Sequence, residues 1–521
     1  MNILFVRPND SGGPSVPVGI SQIQACLKES GHSVEIFDTT FMKRNTGSEN
    51  RKKNESFGFY IPVNTEKFVK IETHDPIEAL QQKIEHFKPK LLCFSIYSND
   101  LDLANQIASV IKCNYRDIPI VVGGIHPTVD PEGTIELDWA DMICIGEGEE
   151  AIAELAGKLS TGEDITDIKN LWIKRQGKII KNGIRGFIDL NNVPPPDSAG
   201  FSQMHLYRPF WGKVYRILDV ETSRGCQFAC FECVNHHLRG IYKGKGSYHR
   251  TKTIDKAIND LAYLKRKYNI EIFRFIDEIL FAFDLEYSKE FFDRYKSEVA
   301  IPFICFGRSE YMTDEKIKVF TDAGCISVSI GVETGNEKLR RKILNRKTSN
   351  KKIIESFQSC NKNRLRTMAF NMLALPEETL SNIYETIELN RAIMPSLVSA
   401  GFMYPFKGTY ARTYCIEKGY IDKDPPLVNY DFESIIRNPY VSKEKQKSMQ
   451  KTFTLYCTVP KYLFPLVFLC EFNNIISNYL YAIMSKFFIS KTFKRYESYY
   501  DEVPDSRNLS FLENPPLGDL E

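Results

Sequence analysis

Apolar residues along this chain fall into short runs separated by stretches with helical spacing. Residues 2–8 (NILFVRP) form an apolar run of strand length. Residues 17–30 then place Ile20, Ile23, Cys26 and Leu27 on one helical face, and Gly31 stops that helix. Residues 34–38 are again strand-like. The alternation predicts a helix at 76–87, a strand at 90–97, a helix at 101–112, strands at 118–123 and 141–145, and a helix from about 148. Strands alternating with helices predict βαβ units and a parallel sheet covered on both faces. Residues 41–72 are polar and charged and read as an insertion.

Five strands within residues 1–160 predict a flavodoxin-like, doubly wound α/β domain. Ligands of such sheets sit at the carboxyl ends of the strands. Three stretches fall there: Ser95–Asn99 (SIYSN), Gly123–Thr128 (GGIHPT) and Gly146–Glu149 (GEGE). Their glycines suit either close backbone approach to a large flat ligand or tight βα turns, and spacing alone leaves both open. No G-x-G-x-x-G follows the first strand, which disfavours a dinucleotide. Residues 161–212 read as a linker. They hold a hairpin-like piece (LWIKRQGKIIKNG) and the prolines 194–196, which cannot continue a helix or a central strand.

A second alternation occupies residues 213–405. Strands are expected at 215–222, 271–276, 302–307, 326–331, 366–373 and 397–404, and helices at 254–267, 284–297, 313–322, 349–361 and 378–392. Polar groups stand where these strands end, as functional residues of β/α barrels do. They are Asp277 and Glu278; Arg308, Ser309 and Glu310; Glu333; Glu377 and Glu378; and the stretch Tyr404–Thr409. Each alone also reads as a cap or a solvated turn, and Glu378 reads as a first-turn helix carboxylate.

The sharpest chemical signal is Cys226-Gln-Phe-Ala-Cys230-Phe-Glu-Cys233, on the loop after the first of these strands. Most of the 13 cysteines lie singly, as reduced cytosolic cysteines do. A structural zinc site needs a fourth ligand, which His236 or His237 can supply. A [4Fe–4S] cluster held by three thiolates keeps one iron open for a substrate or cofactor.

Composition narrows the classes. Over 521 residues the formal charge is +2, so no global basic excess marks a nucleic-acid binder, and none is expected as a partner. A hydrophobic fraction of 43% and a charged fraction of 26% are those of ordinary globular chains. The longest apolar run, Tyr462–Cys470, falls short of the roughly 20 residues a transmembrane helix needs, and the N-terminus has no secretory pattern. A cytoplasmic protein is the expectation. Residues 406–521 read as a mainly helical extension. Val459–Lys486, rich in Tyr, Phe, Leu and Ile, is expected to pack on the second βα region, with a substrate lid or a membrane-surface contact as alternatives. Residues 501–521 are polar and expected to fray.

On these residues the sequence resembles the radical S-adenosylmethionine (SAM) enzymes, whose signature is C-x3-C-x2-C and whose fold is a partial (β/α)6 barrel. Pro17-Val-Gly19, GGIHPT, GEGE, the prolines at 194–196 and Gly331-Val-Glu-Thr-Gly335 are similar to the cobalamin-binding (B12-binding) subgroup. That subgroup contains anaerobic magnesium-protoporphyrin monomethyl ester cyclase and radical SAM C- and P-methyltransferases. The resemblance covers roughly residues 1–410. It implies a [4Fe–4S] cluster on Cys226, Cys230 and Cys233, whose open iron takes the amino and carboxylate groups of SAM. It implies Asp277 and Glu278 at the SAM amino group, Glu333 at the ribose, and Arg308, Ser309 or Arg250 at the carboxylate. For cobalamin it implies Pro17, Gly19, Ser95, Tyr97, Gly123, Gly124, His126, Pro127, Thr128, Gly146, Glu147 and Gly148.

The implied reaction is reductive cleavage of SAM to a 5′-deoxyadenosyl radical, followed by methylation of an unactivated carbon or phosphorus of a small molecule. An electron donor such as flavodoxin or ferredoxin is the implied partner. A cobalamin-dependent radical cyclase is the alternative enzyme, and a non-catalytic cobalamin or metal sensor the alternative of another class. Two departures stand out. The cobalamin-ligand motif D-x-H-x-x-G is absent, and Glu232 occupies the place before the last cysteine where the family carries an aromatic, with Phe231 one place earlier.

Overall fold

The computed structural model describes residues 1–9, 13–42, 52–425, 431–497 and 499. The expected fraying of 501–521 and part of the insertion at 41–72 lie outside the described residues.

The first sheet runs β2-β1-β3-β4-β5-β6-β7. Its strands are β1 (Asn2–Arg7), β2 (Ser33–Asp38), β3 (Leu91–Ser95), β4 (Ile120–Gly123), β5 (Met142–Cys144), β6 (Leu171–Arg175) and β7 (Lys178–Lys181). β1 to β5 pair in parallel. Alternation sends Ile3, Phe5, Leu91, Cys93 and Val121 to one apolar layer and Leu4, Val6, Leu92, Phe94 and Val122 to the other, so both faces are covered by helices. The hairpin read as part of the linker joins this sheet: β6 pairs antiparallel with β5, burying Leu171 and Ile173 on one layer while Trp172 packs on the other.

The second sheet runs β16-β15-β14-β13-β12-β9-β8. β8 (Tyr207–Phe210) is an antiparallel edge on β9 (Lys213–Val220). β12 (Ile272–Phe275), β13 (Phe303–Gly307), β14 (Cys325–Glu333), β15 (Arg366–Leu373) and β16 (Leu397–Phe402) follow in parallel, giving six parallel strands that do not close. Thr253, Asp284, Thr313, Ser349 and Thr379 cap the helices packed outside, each accepting a backbone N–H of its first turn. Outward residues such as Phe273, Phe275, Phe303, Cys305, Val328 and Ile330 are buried against those helices. Inward residues such as Ile304, Phe306, Ser327, Ser329, Phe370 and Met372 stay partly exposed. Ile217, Ile272 and Ile326 fill the amino end of the concave face, with Ile304 packed on them, so the accessible lumen lies toward the carboxyl ends of the strands.

Helices Lys443–Thr458, Phe464–Leu469 and Ile475–Glu497 form the C-terminal region. The first covers the open edge at β16, where Gln450 Nε2 donates to the Ala400 carbonyl at 3.1 Å. Phe57 and Phe59 of the insertion share its apolar cluster. The end of the last helix lies at the opposite end of the barrel from the cysteine loop: Arg366, at the start of β15, donates to the carbonyls of Tyr496 and Glu497 at 3.0 and 2.9 Å.

Candidate active site

The cysteine loop leaves β9 through a short ladder, β10 (Ser223–Arg224) with β11 (Arg250–Thr251). Asp277, beyond the end of β12, fastens it. The Asp277 carboxyl accepts from Thr222 N (3.0 Å), Thr222 Oγ1 (2.8 Å) and Ser223 Oγ (2.6 Å). Burial raises its pKa to about 6 against the pull of those donors. Gly225 has φ +91°, and a Cβ there would lie 2.1 Å from the Tyr248 carbonyl oxygen, so the turn requires glycine. Further along, Phe231 N donates to Leu344 O at 3.2 Å and Ala411 N to Phe231 O at 3.0 Å. The Phe231 ring is buried in an apolar cluster beside Tyr414, so it does not stand in for the aromatic that Glu232 replaces.

Each of the three sulfurs is met by a donor. Arg308 Nη1 lies 3.2 Å from Cys230 Sγ, and Asn235 N and Nδ2 lie 3.5 Å from Cys233 Sγ. Cys226 accepts from the backbone at Phe228. Donors aimed at sulfur fit a thiolate-bound iron–sulfur cluster. The zinc alternative fares worse. His236 turns Nδ1 to the Cys233 carbonyl at 2.7 Å and stacks on Tyr410 at 3.6 Å. Among the described residues no three His, Cys, Asp or Glu converge on a single metal ion.

The residues expected around SAM divide. Glu278 stays at the loop, accepting from Gly225 N at 3.2 Å, and burial raises its pKa. Arg308 bridges Cys230 and Glu310 (2.7 Å) and lies 3.8 Å over the Phe228 ring. Two are spent elsewhere. Both Asp277 oxygens serve the loop, and Ser309 Oγ accepts from Ser356 Oγ at 2.8 Å, within the barrel wall. Glu333 ends β14 at φ +66° and pairs with Arg346 at 2.9 Å. Arg346 also reaches Glu232 at 3.0 Å. The departure at 232 thus has a partner that sequence reasoning missed: a carboxylate replaces an aromatic where a buried guanidinium can neutralise it. The unexplained acid beside the last cysteine was the only signal of it. Burial raises the Glu333 pKa despite Arg346, and the two carboxylates hold Arg346 firmly charged against its own burial. Glu232 Oε2 and Arg346 Nε are buried with no protein partner.

The first sheet presents its carboxyl edge to this loop. Gly146 has φ +78°, and a Cβ there would meet the Tyr242 hydroxyl at 2.2 Å. That hydroxyl accepts from Glu147 N at 2.7 Å, so the glycine admits a side chain of the barrel domain, not a corrin. Gly124, at φ +101°, lets β4 turn against Ile96 O (2.6 Å from a Cβ). A Cβ at Gly19 would meet nothing within 4 Å, and one at Gly123 would make only contacts at 4.0 Å. Thr128 Oγ1 donates to Gly124 O (2.9 Å) and accepts from Gly146 N (3.0 Å), stitching two loops. His126 is buried and its Nδ1 shares a hydrogen bond with Ser98 Oγ at 3.0 Å. Burial lowers its pKa, which favours the neutral ring. Tyr97 stands 58% exposed at the mouth of this edge.

Two expected cofactor contacts pair with each other instead. Glu147 accepts from Arg250 Nη2 (2.6 Å), Arg250 Nη1 (3.2 Å), Arg224 Nη1 (3.2 Å) and Ile188 N (3.1 Å). Burial alone would raise its pKa, but Arg250 and Arg224 hold it low. Arg250 also donates to Ile188 O at 2.9 Å and covers the Phe187 ring at 4.2 Å. Arg224 further binds Glu149 and Glu221, each at 2.7 Å. Lys407, on the loop after β16, reaches Asp130 at 2.6 Å. These contacts clasp the carboxyl edge of the first sheet to the cysteine end of the barrel.

Comparison with known proteins agrees with this architecture. The radical SAM superfamily model matches residues 220–389, and the B12 binding domain model matches residues 60–156. The chain is a cobalamin-binding radical SAM protein. An uncharacterized methyltransferase of Pyrococcus horikoshii is 24% identical over 376 residues, 69% of this chain and 79% of the relative. Anaerobic magnesium-protoporphyrin IX monomethyl ester cyclase of Rubrivivax gelatinosus is 22% identical over 421 residues, 78% of this chain and 68% of the cyclase. The solved structure of the radical SAM methyltransferase TsrM of Kitasatospora setae, with cobalamin and [4Fe–4S] cluster bound, superposes with a TM-score of 0.63 at 14% identity, covering 95% of this chain and 99% of TsrM. That likeness is one of fold. As a member of this superfamily the chain is an enzyme, which sets aside the sensor alternative, and its cofactors are a [4Fe–4S] cluster, SAM and cobalamin. No described helix is long and apolar enough to cross a membrane.

Proposed function

We propose that this enzyme methylates an unactivated carbon, or a phosphorus, of a small molecule in a reaction begun by reductive cleavage of SAM. The observation that carries the reading is the clasp of Glu147 with Arg224 and Arg250, which sets a B12-domain edge against the mouth of an accessible barrel lumen. When bound, the reduced cluster supplies the electron that cleaves SAM, and cobalamin carries the methyl group. The chain supplies position and charge. Cys226, Cys230 and Cys233 hold the cluster. Arg308 stabilises negative charge on Cys230 sulfur, and Asp277 fixes the loop without touching a cofactor. Glu278 meets the SAM amino group. Glu333, aimed by Arg346, meets the ribose diol. Gly19, Gly123 and Tyr97 leave the open surface for the corrin. Phe306, Met372 and Phe370 line the lumen with apolar surface, and Ser327 and Ser329 add hydroxyls for a substrate. A one-electron donor such as flavodoxin or ferredoxin completes the system.

Relatives support methyl transfer. Besides the Pyrococcus protein, the cobalamin-dependent radical SAM methyltransferase TokK of Streptomyces tokunonensis is 26% identical over 163 residues, 30% of this chain and 23% of TokK. The match to the cyclase favours ring closure as the second reading, on the same residues. The test is anaerobic reconstitution with SAM, dithionite and cobalamin, with Cys230→Ala as control. 5′-Deoxyadenosine and S-adenosylhomocysteine above the control support methyl transfer. Deoxyadenosine alone, with candidate substrate present, favours cyclisation. Neither product from a fully loaded protein refutes the proposal.

A further inference from the structure

The last helix, Ile475–Glu497, is apolar on two opposite faces. Tyr481, Met484 and Ile489 are buried in the cluster that covers the barrel edge. Ile475, Tyr479, Ile483 and Phe487 recur every fourth residue, a separation that keeps them on one helical face. That face has no partner among the described residues: Ile475 is 86% exposed, Tyr479 72% and Phe487 70%. Phe468 and Leu469 of the preceding short helix are exposed as well. A patch of this kind on a folded chain marks a contact surface.

Charge around the patch selects the occupant. Residues 475–485 carry no charge, and then Lys486, Lys491, Lys494 and Arg495 follow, all exposed. Lys461, at the other end, is exposed but already pairs with Glu388 at 2.8 Å, so the free basic charge lies toward the carboxyl end of the helix. The acids in this stretch are Glu471 and Glu497. Glu471 is turned inward, holding Lys445 and the Tyr456 hydroxyl (2.6 Å). Protein interfaces are depleted of lysine. Lysines beside an apolar aromatic stripe instead let their stems lie along hydrocarbon while the ammonium groups reach anionic headgroups. We infer that this face seats the enzyme on the surface of an anionic lipid bilayer, lying in the interface without spanning it.

The test is co-sedimentation of the full chain with vesicles. The wild type is expected to bind phosphatidylcholine vesicles containing about one-third phosphatidylglycerol, more weakly in high salt and on phosphatidylcholine alone. The triple variant Ile475→Ser, Tyr479→Ser, Phe487→Ser changes only exposed side chains. It should keep its melting temperature and lose binding by about tenfold or more. Lys486→Gln with Lys491→Gln should lose the preference for phosphatidylglycerol. Equal binding by wild type and triple variant overturns the inference. So does a wild-type dimer, seen by light scattering without lipid, that the triple variant breaks, because a second copy then covers the face. Vesicle binding that appears only after removal of residues 501–521 also overturns it, since the occupant is then the chain's own acidic tail.

Discussion

Glu378 makes stability depend on pH in a direction opposite to the usual carboxylate. It sits on the loop after β15, between Glu377, at φ +64°, and the Thr379 N-cap. It was expected in the first turn of a helix, where water and the helix terminus favour its charge. The capping threonine starts the helix two residues later than expected, at Leu380, and leaves Glu378 buried. Its Oε2 accepts from Leu375 N at 3.3 Å, and its Oε1 is buried with no partner. Burial pushes its pKa to about 8, against backbone donors at Leu375 and Ala374, from an ordinary value of 4.5. The folded protein therefore keeps a proton that the unfolded chain releases above pH 4.5. Stability from this group is fully present below pH 4.5 and is lost as pH rises to 8, by about 1.4 kcal/mol per unit. From pH 5.5 to 7.5 the loss is about 2.7 kcal/mol. In Glu378→Gln the side chain cannot ionise and that slope disappears. The assay is urea unfolding of both proteins at several pH values in this range. Asp277, raised to about 6, adds a slope of its own that is common to both and cancels in the difference. Parallel pH profiles for wild type and variant would refute the reasoning.

Asp277→Asn keeps one acceptor oxygen and turns an NH2 toward donors, so the cysteine loop should loosen at a cost of about 2–3 kcal/mol. Iron and sulfide per chain after reconstitution should fall, and full loading would count against the role as fastener. Arg250→Gln removes the main partner of Glu147, so cobalamin retention on desalting should drop while SAM affinity by equilibrium dialysis stays within about twofold. The opposite pattern would return Arg250 to SAM. Glu232→Phe restores the family aromatic but leaves Arg346 with one carboxylate. The KM for SAM should rise by about tenfold with kcat little changed, and an unchanged KM would sever Glu232 from the SAM pocket.

Period and spacing carried most of the fold. Both alternating βα series were legible because each strand and helix obeys its own repeat, and the boundaries held to within a few residues. The hairpin at 171–181 was misplaced in the linker because its pairing with β5 depends on Leu171 and Ile173 reaching a layer made by residues remote in sequence. The three cysteines stood out by their spacing, while their role as cluster ligands rests on the resemblance to the radical SAM enzymes. The polar residues around them were less so. A strand end brings a side chain to the mouth of a barrel but does not say which donors it meets. Asp277 and Ser309 stand where expected and are consumed by Ser223 and Ser356, partners that no local pattern announces.

The pairing of Glu147 with Arg250 carries this one step further. Read separately, an acid in a glycine-rich βα turn and an arginine beside a cysteine loop each suggest a cofactor contact. Brought together, they neutralise each other, and the site gains something neither offers alone. Two folds that each bind a cofactor become an enzyme only if the distance between those cofactors is fixed. A buried ion pair is a poor source of net stability but a strong source of register, since a mispaired arrangement leaves charges without partners. Three carboxylates on Arg224, two guanidiniums on Glu147, and Tyr242 seated against Gly146 specify one alignment of the two domains. Charge that reads locally as a ligand contact is used here to hold two ligand sites at one separation.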